Sequence, residues 1–450
     1  MIKEDIMMGK ARKLVIIMCF VFLVCACGKE NNESSEDLYT GSSEIVPSED
    51  GQDTTQAEKP KTNDELYRFI LDKLIKNEVS EIYQYASDDV KVISEESFER
   101  MLLDLKVTFG EIVGIEDETS TVQKGISLYN VTLKYKNVDN HMVIYIQDGL
   151  LVGMNSDIRF RNSFDITYDN GVVETYFLLN SDGYELNAVY THSSDMGAAV
   201  LLIPGSGVSD YNETVGLLTP FKDIALGLAE QGVGSLRIEK RTNRYRDEAA
   251  GQISLQEEYF VDYDNALDWL VNNSAGDIYL LGHSLGTQIA PVLAEQNEVS
   301  GLILFHGSAR HLADIIKDQY AEIDPDNSDY YAQISEYVKT ITEESSRGLY
   351  FYNAPDYYWA SYNELSTIET IKKINLPTLI INSTADRQIF EEDVALWKDN
   401  LSEEQNISIL VFDECSHFGY KIDTSDPAVL YSQQDFPEEI LSAICSFINS

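Results

Sequence analysis

Serine, aspartate and histidine recur along this chain at positions that suit covalent acyl transfer. Ser284 lies in Gly282-His283-Ser284-Leu285-Gly286, between the apolar run Ile278–Leu281 and a helical-looking stretch reaching Glu295. A serine hydroxyl is a weak nucleophile until a base takes its proton and a third group orients that base. A strand that turns sharply into a helix around such a serine strains the backbone there. It also leaves no room for side chains two positions to either side, and glycine at 282 and 286 meets that need. The hydroxyl then stands clear above a helix N-terminus. The N–H of Leu285 at that terminus is placed to stabilise an oxyanion.

The base and the orienting acid are sought at the ends of later strands, in the chain order serine, acid, histidine. Asp386 follows the strand pattern of "LPTLIINS", and His417 follows "ISILVFD", in "ECSHFGY". Of the six histidines, His283 is inside the turn, His141 and His192 lie early, and His306 and His311 precede the aspartate. Only His417 fits the order. Asp413 and Glu414 stand near it as competing carboxylates for the role given to Asp386. A second oxyanion donor is expected after the early strand "AAVLLIPGSGVSD", where Gly205-Ser206-Gly207 permits close backbone approach and Ser206 supplies the N–H. No Cys-x-x-Cys or His-x-x-x-His spacing occurs, so neither a metal nor a cofactor is expected.

From residue 158 to 450, buried strand patterns alternate with helical ones. Strands are expected at "AAVLLIPG", "VGSLRIE", "DIYLLG", "VSGLILFHG", "PTLIINS" and "ISILVFD", with helices near Phe221–Gln231, near Tyr259–Asn272, after Ser284 and at "PEEILSAICSFIN". An antiparallel hairpin around Ser181-Asp182-Gly183 precedes them. This alternation predicts an α/β fold with a doubly wound, mostly parallel sheet. About residues 310–375 show no strand pattern and many tyrosines, and read as a helical lid. Residues 62–157 read as a small α+β domain. Helices, the first capped by Asn63, come before strands in "EIVGIEDETS", "ISLYNVTLKYKN", "HMVIYIQDG" and "LLVGMNS". Residues 28–61, acidic and nearly free of aromatics, read as a disordered tether.

The chain has 450 residues, enough for two domains and a tail, and 44% of them are hydrophobic, which allows a large core. The net charge of −43 argues against nucleic acid and against a polybasic grip on anionic lipid. Of five cysteines, only Cys415 and Cys445 fall in the expected body. The first residues are an export signal: Lys3, Lys10, Arg12 and Lys13 precede an apolar run, Leu14 to Ala26, too short to span a bilayer. Its end, "VCAC", resembles the bacterial lipobox. That resemblance implies cleavage before Cys27, a diacylated Cys27 as lipid anchor, and a location on the extracytoplasmic face of the membrane.

The segment from about Ile158 to Ser450 resembles α/β-hydrolases of the serine esterase and serine aminopeptidase-like branch. The resemblance rests on Pro204 to Asp210, Glu213-Thr214, Pro220 to Val233, Arg237 with Lys240-Arg241-Thr242, and the GHSLG turn. Many relatives carry His-Gly where this chain has Pro204-Gly205, a change that leaves the Ser206 N–H in place. The resemblance implies a carboxylesterase acting on short acyl esters as small-molecule substrates; the tyrosine-rich lid suggests either an apolar or aromatic acyl or alcohol part, or plain packing. An amidase or aminopeptidase on the same residues is the alternative, and Glu343, Glu344 and Asp356 in the lid are acids available to capture a substrate amine. A non-catalytic binding lipoprotein is the third reading. Lys240 and Arg241 are expected either to position the oxyanion loop, through Glu213 or Asp210, or to be a solvated pair. The small domain resembles the cone-like domain, similar to nuclear transport factor 2, found ahead of hydrolases in Gram-positive lipoproteins.

Overall fold

The computed structural model describes residues 59–194, 196–245, 253–402, 404, 406–422 and 435–450. The export signal, Cys27 and the tether up to residue 58 lie outside the described residues. The chain divides into two compact units, with the division between Phe164 and Asp165.

In the first unit, α1 (Asn63–Lys76) begins at Thr62, whose hydroxyl accepts from the Glu65 N–H. Thr62, not Asn63, is therefore the cap. The Asn63 side chain instead donates to Ser127 Oγ and accepts from Gly149 N–H, tying the helix to the sheet. The stretch "VSEIYQYAS" forms two 3₁₀ turns, Val79–Glu81 and Tyr83–Tyr85, rather than the expected helix. It is short and rich in β-branched and aromatic residues, which gain little from helix formation. After α2 (Glu95–Phe109), strands β1 (Gly114–Gln123), β2 (Ile126–Lys134), β3 (Val138–Gln147) and β4 (Leu150–Phe160) pair antiparallel in sequence order. Strand β4 continues through Phe160, so the boundary expected at residue 157 falls within a paired strand.

The second unit is built on β5 (Phe164–Thr167), β6 (Val173–Ser181), β7 (Tyr184–His192), β8 (Ala198–Ile203), β9 (Val233–Ile238), β10 (Asp277–His283) and β11 (Gly301–Phe305). A two-residue pair, β12 (Tyr350–Phe351) and β13 (Ala354–Pro355), and the strands β14 (Thr378–Ser383) and β15 (Ile407–Phe412) follow. One sheet takes the order β15-β14-β11-β10-β8-β9-β7-β6-β5. Its members from β15 to β9 are parallel, and the β6–β7 hairpin continues it antiparallel.

Burial on both faces explains the continuous apolar runs. Leu201 and Ile203 of β8 face a core shared with Tyr263 and Leu270 of α4 (Val261–Asn273) and Ile289 and Leu293 of α5 (Gly286–Gln296). Val200 and Leu202, pointing the other way, meet Phe221 and Ile224 of α3 (Pro220–Glu230) and Ile440 and Ile444 of the C-terminal helix Glu438–Ile448. From β8 the chain passes to β9 on one side and then returns to β10 on the other. The strand order therefore reverses between β8 and β10, and such a switch point at the carboxyl ends of the strands is the usual place for a site in these sheets.

Residues between β11 and β14 form the insertion: α6 (Leu312–Ile323), α7 (Ser328–Val338), the β12–β13 hairpin, α8 (Asp356–Tyr362) and α9 (Thr367–Ile374). The hairpin is the one departure from its expected all-helical form. Its aromatics do two things. Tyr358, Trp359 and Tyr362 are buried in the main core, whereas Tyr330, Tyr337 and Tyr350 are exposed. The Tyr362 hydroxyl bonds Gln288 Oε1 on α5 and accepts from Leu312 N–H, which fastens the insertion to the helix behind Ser284.

Arg237 on β9 is fully buried and ion-paired with Glu174 on β6, and also bonds Thr191 Oγ1 and Asn212 Oδ1. Burial alone would raise the Glu174 pKa, but the guanidinium and the Tyr168 hydroxyl hold it down at about 2. Replacing Arg237 with Met leaves that carboxylate buried without its cation, at a cost of roughly 3–5 kcal/mol. Urea unfolding of Arg237→Met is expected to show that loss at neutral pH.

Candidate active site

Ser284 sits between β10 and α5 with φ +52°, a left-handed conformation that costs a non-glycine residue energy and has to be held by its surroundings. Its N–H donates to Phe305 O at 3.1 Å, and its carbonyl accepts from Thr287 N–H and Oγ1. The glycines are demanded by space. A methyl group on Gly282 would lie 2.0 Å from the Gly286 carbonyl oxygen, and one on Gly286 would lie 2.3 Å from that of Ile203. One on Gly205 would lie 2.9 Å from Ser284 Cβ, so the loop after β8 runs directly against the serine.

Asp386 and His417 follow β14 and β15 and come together. His417 Nδ1 lies 2.8 Å from Asp386 Oδ2, with both side chains buried. Asp386 Oδ1 accepts from the N–H groups of Gln388 and Ile389. Burial works to raise the Asp386 pKa, but the His417 charge, its hydrogen bond and these amides outweigh burial and lower it. An ionised Asp386 accepts from Nδ1, and Nε2 of His417 is the ring nitrogen left facing away from that pair. Asp413 instead accepts from Thr384 Oγ1, so Asp386 is the carboxylate that meets His417. Ser284 Oγ and His417 Nε2 are not hydrogen-bonded to each other, and such contacts commonly close only when substrate is bound. Among the described residues, the N–H groups of Ser206 and Leu285 have no protein acceptor, and Leu285 caps α5.

Three further residues, not picked out as site residues by the sequence, frame these groups. Glu213 Oε1 accepts from Gly205 N–H at 2.7 Å and meets His283 Nδ1 at 2.8 Å. His283 Nε2 donates to the carbonyl oxygen of His417 at 2.9 Å, and His306 Nδ1 donates to the same oxygen at 3.0 Å. The backbone of His417 is therefore clamped by two imidazoles. Burial would lower the His283 pKa, but the Glu213 carboxylate and both hydrogen bonds raise it above its ordinary 6.5. His306 is fully buried with the Asp386 carboxylate 3.9 Å from its Nδ1, but burial outweighs that charge, so it is pushed down to about 4 and stays neutral. The only signal for these contacts was the position of His283 inside the turn and of Glu213 shortly after the Gly205 loop.

The remaining candidates lie elsewhere. His311 caps α6 and bonds Asn363, and His141 bonds Thr132 in the other unit. Asp356 is consumed by the N–H groups of Arg347 and Gly348, and Glu343 and Glu344 are exposed. Cys415 and Cys445 are free, buried thiols. Among the described residues, no three metal-ligating side chains are grouped to hold an ion, and no helix is long and apolar enough to cross a membrane.

His283 supplies a pH-dependent part of stability. Its folded pKa is raised, so its contribution is complete below pH 6.5 and disappears as pH climbs through the folded value. The unfolding free energies of wild type and His283→Gln are expected to differ most below pH 6.5. They should converge above it by about 1.4 kcal/mol for each unit of pKa shift. Denaturant melts at a series of pH values measure this, and a gap independent of pH contradicts it.

No family model matches the chain. It is similar to Esterase EstD of Thermotoga maritima, at 28% identity over 318 residues that take in 69% of this chain and 75% of that protein. Among solved structures it is similar to Est1E from Butyrivibrio proteoclasticus with ferulic acid bound, at a TM-score of 0.41 and 16% identity, covering 61% of this chain and 98% of that one. It is also similar to the Pyrococcus furiosus esterase Pf2001, at a TM-score of 0.40 and 15% identity, covering 65% of this chain and 98% of that one.

Proposed function

We propose that this chain is a serine carboxylesterase that cleaves short-chain or aromatic esters through an acyl-enzyme. The observation that carries this reading is the buried His417–Asp386 pair, set at the same edge of the sheet as the strained Ser284. Similarity to a curated esterase supports it. Ser284 Oγ attacks the ester carbonyl as its proton passes to His417 Nε2, and Asp386 steadies the imidazolium that forms. The developing oxyanion is met by the N–H groups of Ser206 and Leu285. His417 returns the proton to the departing alcohol. Water, activated by the same base, then attacks the acyl-serine and releases the acid.

Ester substrates are favoured by the similarity to a curated esterase; of the acids in the insertion, Asp356 is occupied by backbone amides, while Glu343 and Glu344 stay exposed. The aromatic insertion fastened to α5 supplies the wall for an acyl or alcohol group. The enzyme works on the extracytoplasmic face of the membrane, held by lipid on Cys27.

Ser284→Ala is expected to lower kcat on p-nitrophenyl butyrate by about 10⁴-fold or more while the fold persists. A fluorophosphonate probe is expected to label wild type at Ser284 alone. Undiminished turnover, or labelling elsewhere, removes Ser284 from this role. Cys27→Ala is expected to move the protein from the membrane to the soluble fraction of cells, and persistent membrane association contradicts lipid attachment there.

A further inference from the structure

The peptide joining Gly205 to Ser206 has two polar ends. Its N–H belongs to Ser206 and is the second oxyanion donor in the reading above. Its carbonyl, on Gly205, points the opposite way, because the peptide is trans. That carbonyl is held by unusual partners. Lys240 Nζ donates to it at 2.8 Å, and so does the Tyr259 hydroxyl. The same ammonium reaches Gly207 O at 2.8 Å, Glu258 Oε1 at 3.0 Å and the Tyr259 oxygen. Three protons thus serve four oxygens.

Lys240 is fully buried. Removing an ammonium from water is costly, and a core that needed only packing would be better served by an aliphatic side chain. Burial pulls the lysine's pKa below its ordinary value, and the Glu258 charge only partly restores it. The neighbouring cation shows the contrast. Arg241 pairs with Asp262, which also accepts from Ser181 on β6, and so serves the frame of the sheet. The route through Glu213 or Asp210 is also absent. Asp210 accepts from Asn212 N–H, Thr214 N–H and Thr214 Oγ1, and Glu213 takes the Gly205 N–H. Lys240 acts on the loop directly.

We propose that Lys240 and Tyr259 are positioning residues for the oxyanion hole: by gripping the Gly205 carbonyl they aim the Ser206 N–H at the space above Ser284 and polarise it. Donors on a peptide oxygen draw electron density toward it and leave the N–H of the same unit more positive, the usual cooperativity of hydrogen-bonded amides. A fixed, polarised N–H acts most strongly on charge that appears only in the transition state. This inference rests on the esterase reading of Ser284.

Two variants test it. Tyr259→Phe keeps the ring and its packing and removes one donor. Lys240→Met combined with Glu258→Gln removes the ammonium without leaving a charge buried. On p-nitrophenyl butyrate, kcat is expected to fall about tenfold in the first and about 100-fold in the second, with KM changed less than about threefold. Affinity for an alkyl boronic acid, which forms a tetrahedral adduct on the serine, is expected to fall by a similar factor. If the paired substitution fails to fold, Tyr259→Phe decides alone. A folded variant with wild-type kcat, or with KM raised and kcat kept, overturns the proposal. A wild-type protein that neither turns over the ester nor takes the fluorophosphonate overturns the esterase reading beneath it.

Discussion

Close approach of two backbone turns governs everything around Ser284. The strand-to-helix turn and the end of β8 with its following loop run so near each other that one methyl group at Gly205 or Gly286 would collide across the gap, and one at Gly282 would collide within the turn itself. That proximity sets Ser284, with its left-handed backbone, against the loop that carries Ser206. A strained residue persists only where its neighbours leave no alternative. Here they are the parallel strands on either side: β8 beneath Gly205, and β11, whose last residue accepts the Ser284 N–H.

Buried charge does the remaining positioning. Glu213 with His283, Lys240 with Glu258, and Arg237 with Glu174 are all removed from water close to the carboxyl ends of the strands or within the sheet beside them. Such pairs are a poor source of net stability, because desolvation opposes their attraction. They are strict about geometry, since a displaced partner leaves a charge alone in a low-dielectric interior. The loops around Ser284 are thus fixed by groups that tolerate little movement, while the large acidic excess of the chain as a whole bears on its solubility.

Local signals were the legible ones. The strands of the parallel part stood out because burial on both faces makes them continuous apolar runs. Ser284 stood out because the glycines that flank it answer a steric demand within five residues. Asp386 and His417 were reached by counting strands, since each follows one directly. The clamp on the His417 carbonyl is hinted at only by the place of His283 inside the turn: His283 lies 134 positions and His306 111 positions from His417, and only tertiary packing brings them together. Lys240 was singled out but given the wrong partners, because a side chain that long reaches any of several carbonyls and only tertiary packing selects among them. The 3₁₀ turns of the first unit and the end of β4 were misjudged for a related reason, as segment ends depend on what they pair with.

The insertion between β11 and β14 carries one more consequence. Those strands are hydrogen-bonded neighbours, with Leu302 opposite Thr378 and Phe305 opposite Ile381. The sheet therefore closes across the base of the insertion whatever lies beyond it. Loop-closure entropy rises only slowly with length, so added residues cost the fold little where the segment is exposed, as at Tyr330 and Tyr350, whereas Tyr358, Trp359 and Tyr362 are held in the core. Its polar ties to the helix after Ser284 include the Tyr362–Gln288 bond, the Gln288–Arg310 bond and the Lys373–Glu295 ion pair. Architecture of this kind lets the exposed part of the insertion vary while the turn at Ser284 and the clamped backbone of His417 keep their geometry.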